Sequence, residues 1–138
     1  MPPVTGAPAI DWPTAEVLAA DQGYVLNVRL GASPAEAWEQ AFVRIAKDEE
    51  QMATPQAPLP CSGITLAGKG LISAAGIQGK AHVERVRSYL DWLVERADQQ
   101  WEADRAEVEV ARRRTREQMA HREQEVSEMT DAFRKPGT

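Results

Sequence analysis

Four arginines in five residues, Arg112-Arg113-Arg114-Thr115-Arg116, are the densest concentration of chemistry in the chain. On a helix of about 3.6 residues per turn, Arg112, Arg113 and Arg116 share a face. Guanidinium groups so placed can grip phosphates along a nucleic-acid groove or carboxylates on an acidic partner. Glu107, Glu109, Glu117, Glu123 and Glu125 surround the run and would repel phosphate, and no aromatic residue is interleaved for base stacking. The run therefore reads first as a solvated face, next as a contact for an acidic protein and last as a nucleic-acid contact.

Gly76-Ile77-Gln78-Gly79-Lys80 sets a GxxG ahead of a helical stretch. A glycine turn feeding a helix N-terminus can cradle an anion, and GxxG loops occur in KH-type RNA-binding domains. Those domains place a helix on both sides of the loop, whereas an apparent strand precedes this one. The phosphate-loop pattern is missing too, since no serine or threonine follows Lys80. A tight strand-to-helix connection capped by Gly79 is the simpler reading.

Cys61, His82 and His121 do not make a nucleophilic triad. On one straight helix His82 and His121 would lie about 58 Å apart. Glu117 and His121, four residues apart, supply half of a metal site with no remaining ligands nearby. With no nucleophile–base pair, no ligand cluster and no phosphate loop, the chain is expected to be no enzyme and to need no cofactor or metal. A pocket between sheet and helices that binds a small molecule stays open as a third-ranked alternative.

The bulk numbers narrow the class further. The 138 residues suffice for one modest core. A net charge of −5 speaks against a general nucleic-acid binder and against attraction to an anionic membrane. One cysteine rules out an intramolecular disulfide. No run approaches the roughly 18 apolar residues of a membrane span, and no leader is evident, so a cytoplasmic location is expected. Arginine outnumbers lysine 12 to 4, as in GC-rich bacterial coding sequences.

Residues 1–9 hold three prolines and no charge, and are expected to be disordered. Asp11-Trp12-Pro13-Thr14 suggests a short helix through Val17 and Leu18, with Pro13 in its first turn. Tyr24, Leu26, Val28 and Leu30 alternate with Val25, Asn27 and Arg29, a strand with one buried face. Ser33-Pro34-Ala35-Glu36 has the form of a capping box opening a helix with Trp38, Ala41, Phe42 and Ile45 on one face. That helix is expected to fray at its acidic end, Lys47-Asp48-Glu49-Glu50. After a proline-rich connection, residues 63–67 and 71–75 flank Gly68-Lys69-Gly70 as a hairpin.

From Lys80 to about Arg134 there is neither proline nor glycine, and every cue indicates helix. These elements predict an α+β fold: a small three-stranded β-α-β-β-α body with a long protruding C-terminal amphipathic helix. Fifty-five helical residues would span roughly 80 Å, against a body only about 30 Å across. The expected division is a body at 10–101, a projecting helix at 102–134 and a disordered tail at 135–138.

Val83, Val86, Leu90, Leu93, Ala97 and Trp101 form the core-facing stripe, broadened by Val94. Beyond Trp101 it thins to Val108, Ala111, Thr115 and Met119, meets Arg122, and recovers as Val126, Met129 and Phe133. Trp92, about 100° off the stripe, is a possible exposed anchor for a partner.

A helix of this length needs its apolar face packed. It can form a coiled coil with another copy, dock on a larger protein complex, or survive through charge pairs such as Glu109 with Arg113. A break near residue 102 that folds the tail onto the body is a fourth outcome. The leading expectation is a non-enzymatic interaction, adaptor or assembly module acting as a homo-oligomer or in a complex. Its partner-binding stripe is Val108, Ala111, Met119, Val126, Met129 and Phe133. The alternative is a nucleic-acid-binding accessory factor using Arg112–Arg116.

Overall fold

The computed structural model describes residues 8–68 and 70–136. The expected disordered termini fall largely outside these: residues 1–7 of the first and 137–138 of the second lie beyond the described residues. The chain divides into two compact units, residues 1–101 and 102–138.

Among the described residues the elements are β1 (Ile10–Ala19), β2 (Tyr24–Leu30), α1 (Glu36–Met52), β3 (Ser62–Ala67), β4 (Leu71–Ile77) and α2 (Val83–Arg134), with a 3-10 turn at Lys80–His82. The fold is α+β. Its sheet has four strands in the order β1-β2-β4-β3, each pair antiparallel. This corrects the expected three.

The added strand is β1, where a short helix is predicted. Pro13 lacks the N–H a ladder needs, so it suits an edge strand or a bulge. Both apply here. The β1–β2 register shifts between Asp11, opposite Arg29, and Glu16, opposite Asn27. Within that bulge Thr14 Oγ1 donates to the Asp11 carbonyl oxygen at 2.7 Å and accepts the Arg29 amide at 2.9 Å. The hydroxyl thus takes the place of a missing backbone acceptor in the ladder. Residues that resemble a helix start, Asp-x-Pro-Thr, serve a bulged strand because β2 offers them a partner.

The hairpin turn into β2 requires Gly23. Its φ is +78°, and a Cβ there would lie 2.7 Å from the Ile77 carbonyl oxygen. In β2 the alternation holds: Leu26, Val28 and Leu30 are buried and Arg29 is exposed. Tyr24, at the strand end, is exposed instead of buried.

The predicted capping box does not form. Helix α1 starts at Glu36 with Ala35 as N-cap, extended at φ −65° and ψ 149°, and no side chain caps it. Pro34 therefore precedes the cap, which leaves Ser33 too far back to reach the first helical amides. Trp38, Ala41, Phe42 and Ala46 are buried; Ile45 is half-buried. The acidic end continues to Met52, and Glu50 Oε1 accepts the Gly63 amide, tying the helix end to β3.

One core joins these elements. Leu26, Val28 and Leu30 meet Ile72, Ala74 and Ile77 on one sheet face, with Trp38 and Phe42 from α1 and Val86, Leu90, Leu93 and Ala97 from α2. The Trp38 and Phe42 rings stack with centroids 5.3 Å apart. Side chains of the opposite sheet face include Val25, Asn27, Leu71, Ser73 and Ala75, all half-buried. There Ser73 Oγ donates to Asn27 Oδ1 at 2.5 Å.

Candidate interaction surface

The predicted stripe lies on the far part of α2, which is one uninterrupted helix. Among residues 102–136, Thr130 is half-buried and every other residue is exposed. Met119 (59%), Val126 (58%), Met129 (54%) and Phe133 (88%) present large apolar side chains to water. Val108 and Ala111 are exposed as well. At about 100° per residue these six positions fall within one apolar sector. Val110, also exposed, lies off it.

Arg112, Arg113 and Arg116 are exposed on the same segment. Arg112, not Arg113, pairs with Glu109, at 3.7 Å and three residues apart, with both side chains at least half exposed. Glu102 and Arg105 make a similar pair at 3.8 Å. Exposed pairs of this kind contribute roughly 0.2–1 kcal/mol each, so the helix gains little from them. Thr115, in the stripe, spends its hydroxyl on the Ala111 carbonyl oxygen at 3.0 Å.

Trp92 is 40% exposed and stacks on Tyr89 with centroids 6.1 Å apart. Part of its ring is therefore already engaged. The GxxG glycines build the connection from sheet to helix. Gly76, at φ +73° in β4, lies where a Cβ would meet Ser62 Oγ at 2.9 Å, and Gly79 precedes the 3-10 turn.

His82 and His121 fall in separate units. Among the described residues no three His, Cys, Asp or Glu side chains group as a metal site. Cys61 is buried, and its thiol is pushed up to about 12, first by burial and then by the Glu50 carboxylate. The neighbouring Tyr89 hydroxyl is buried without a hydrogen-bond partner among the described residues. Its ionisation is pushed well above the ordinary tyrosine range, chiefly by burial, then by Glu49, Cys61 and Glu50. A thiol and a phenol so held are poor nucleophiles at neutral pH.

The pocket between sheet and helices, the third-ranked expectation, has a counterpart in the structure at residues that no motif marks. A cleft of about 470 Å³ opens between the β1–β2 hairpin and the first turns of α2, walled by Trp12, Val17, Tyr24, Leu26, Ile77 and Val83. Lys80 and Arg87 also line it. The Trp12 indole N–H donates to Asp91 Oδ1 at 3.1 Å, and the Arg87 guanidinium lies 4.9 Å from the Trp12 ring centroid. These contacts hold the wall in place. The cleft depends on β1 being a strand, so only that assignment would have exposed it.

No helix among the described residues is long and apolar enough to cross a membrane. Comparison with protein-family models, with curated proteins and with solved structures finds no match.

Proposed function

We propose that the protein is a non-enzymatic interaction or assembly module whose working surface is the apolar face of residues 102–134, used for self-association or for docking on a partner. One observation carries the reading: Met119, Val126, Met129 and Phe133 stand more than half exposed on a single helical segment. Isolated helices are marginal in water, and packing of an apolar face is what usually stabilises them. Charged residues elsewhere on the segment keep it soluble until a partner covers the stripe.

Light scattering on the full chain, beside a variant carrying Val126→Glu, Met129→Glu and Phe133→Glu, tests this. The expected result is an assembly that the variant loses. A full chain that is monomeric at every concentration, with freely exchanging amides over 102–134, overturns the reading.

The cleft favours a second reading: capture of a small apolar anion, with aromatic and aliphatic walls and with Lys80 and Arg87 supplying positive charge. Titration with a medium-chain fatty acid, followed by tryptophan fluorescence, is the check. No saturable change, or an equal change after Lys80→Ala with Arg87→Ala, removes it.

A further inference from the structure

Charge along residues 102–135 comes in alternating blocks. Glu102, Asp104, Glu107 and Glu109, with Arg105 the one base among them, are followed by Arg112, Arg113, Arg114 and Arg116, then by Glu117, Glu123, Glu125, Glu128 and Asp131, and finally by Arg134 and Lys135. Arg122 is the one base inside the second acidic block. The apolar stripe through these blocks is nearly palindromic in its spacing, with Val108, Ala111 and Thr115 at its start and the larger Met129 and Phe133 at its end.

We propose that residues 107–134 pair with the same segment of a second copy, antiparallel, in a register centred between Ala120 and His121. This rests on the interaction-module reading and names its partner. In that register Val108 faces Phe133 of the second copy, Ala111 lies beside Met129, Thr115 faces Val126 and Met119 faces Arg122. The outer pairs set Val108 and Ala111 against the larger Phe133 and Met129, while Thr115 meets a valine of its own size, an arrangement in which two helical seams can interdigitate.

Positions flanking the seam agree. In an antiparallel pair each flank faces the equivalent flank of the other helix. Glu109 then comes within about two residues of being opposite Arg134 of the second copy, as do Arg116 with Glu123 and Arg114 with Glu125. Each pair occurs twice by symmetry. Glu109 gives up its partner Arg112, a half-exposed pair at 3.7 Å, which costs little.

Parallel, in-register pairing sets every block against itself: arginines 112–116 against arginines, Glu107 and Glu109 against themselves, Glu123 and Glu125 likewise. Like charges so placed oppose association and select against that orientation. Arg122 is the one charged residue of the seam between Val108 and Phe133. Its stem lies along Met119 of the second copy and its head reaches water, and a lone polar position in an apolar seam fixes register. The overlap ends where Arg134 ends α2, after 28 residues or about 42 Å.

Spin labels on the full chain test orientation directly. One cysteine is introduced at Val108 in one sample and at Ala120 in another. Native Cys61 is buried and resists labelling, which the unmodified chain checks. Antiparallel pairing gives an intermolecular distance of about 35–40 Å at position 108 and less than about 20 Å at position 120.

Short distances at both positions show pairing in parallel; the interaction-module reading then stands and the antiparallel register is overturned. No dipolar coupling at either position overturns self-pairing, while association of the unlabelled chain is measured independently by light scattering.

Charge reversal supplies a second readout. Arg114→Glu with Arg116→Glu, or Glu123→Lys with Glu125→Lys, weakens the dimer at least about tenfold, and all four together restore it. Unchanged dimerisation in both double variants overturns the register.

Discussion

The indole N–H of Trp38 donates to Asp98 Oδ1 at 2.5 Å, joining α1 to α2 across 60 residues of chain. Trp38 is fully buried. Its ring fills the core only because that one polar atom finds an acceptor on the second helix. The pair ties α1 to the core-facing part of α2 near Ala97, well beyond the turns that line the cleft.

Asp98→Ala leaves the buried donor unsatisfied and should lower stability by about 1–3 kcal/mol. Asp98→Asn keeps an acceptor and should cost less. Urea unfolding followed by tryptophan fluorescence distinguishes the two.

Thr14 carries the bulge of β1. Thr14→Val removes both hydroxyl bonds, those to Asp11 and Arg29. A loss of about 1 kcal/mol is expected, with Thr14→Ser close to the native protein. Hydrogen exchange at the Arg29 amide should quicken in the valine variant. An unchanged rate would show that the bulge holds without the hydroxyl.

Cys61 and Tyr89 make the fold sensitive to alkali. In the unfolded chain the thiol titrates near 9.0, whereas in the folded chain it is pushed up to about 12. Between those values the unfolded state has released a proton that the folded state keeps, so stability falls as pH rises. Tyr89, raised above 10.0, adds to the loss from pH 10 upward. Below about pH 8 neither contributes appreciable slope. Urea midpoints at pH 8, 9.5 and 10.5 should therefore decline progressively, and Cys61→Ala should flatten the first part of that decline.

Helix content at residues 102–134 should depend on concentration. If a second helix covers the stripe, dilution exposes Phe133 and Val126 and the segment loses helix. Ellipticity at 222 nm should fall on dilution in the native chain. In a variant carrying Phe133→Glu and Val126→Glu it should be lower from the outset and independent of concentration.

Gly23→Ala places a side chain at φ +78°, 2.7 Å from the Ile77 carbonyl oxygen. The expected loss exceeds about 1 kcal/mol. Thermal unfolding measures it, with Gly68→Ala, where nothing lies within 4 Å of the added Cβ, as the control.

Much of this architecture is legible in the chain because its signals are local. The alternation of Leu26, Val28 and Leu30, the face of Trp38, Ala41 and Phe42, and the stripe from Val86 to Ala97 each follow from side-chain period alone. A strand repeats every two residues and a helix every 3.6, whatever they pack against. The stripe at Val108, Met119, Val126, Met129 and Phe133 is legible for the same reason, and so is its charge pattern.

What the residues alone do not decide is settled by partners distant in sequence. Asp11, Pro13 and Thr14 spell a helix start until β2 lies beside them; then Arg29 takes the Thr14 hydroxyl and the segment is an edge strand. Ser33 and Glu36 have the types of a capping box, yet the chain enters α1 at Ala35 and leaves the serine behind. The cleft walled by Trp12, Tyr24 and Val83 exists only once β1 and α2 are neighbours. Local period determines which side chains share a face, and tertiary packing decides which competing hydrogen bonds those side chains finally make.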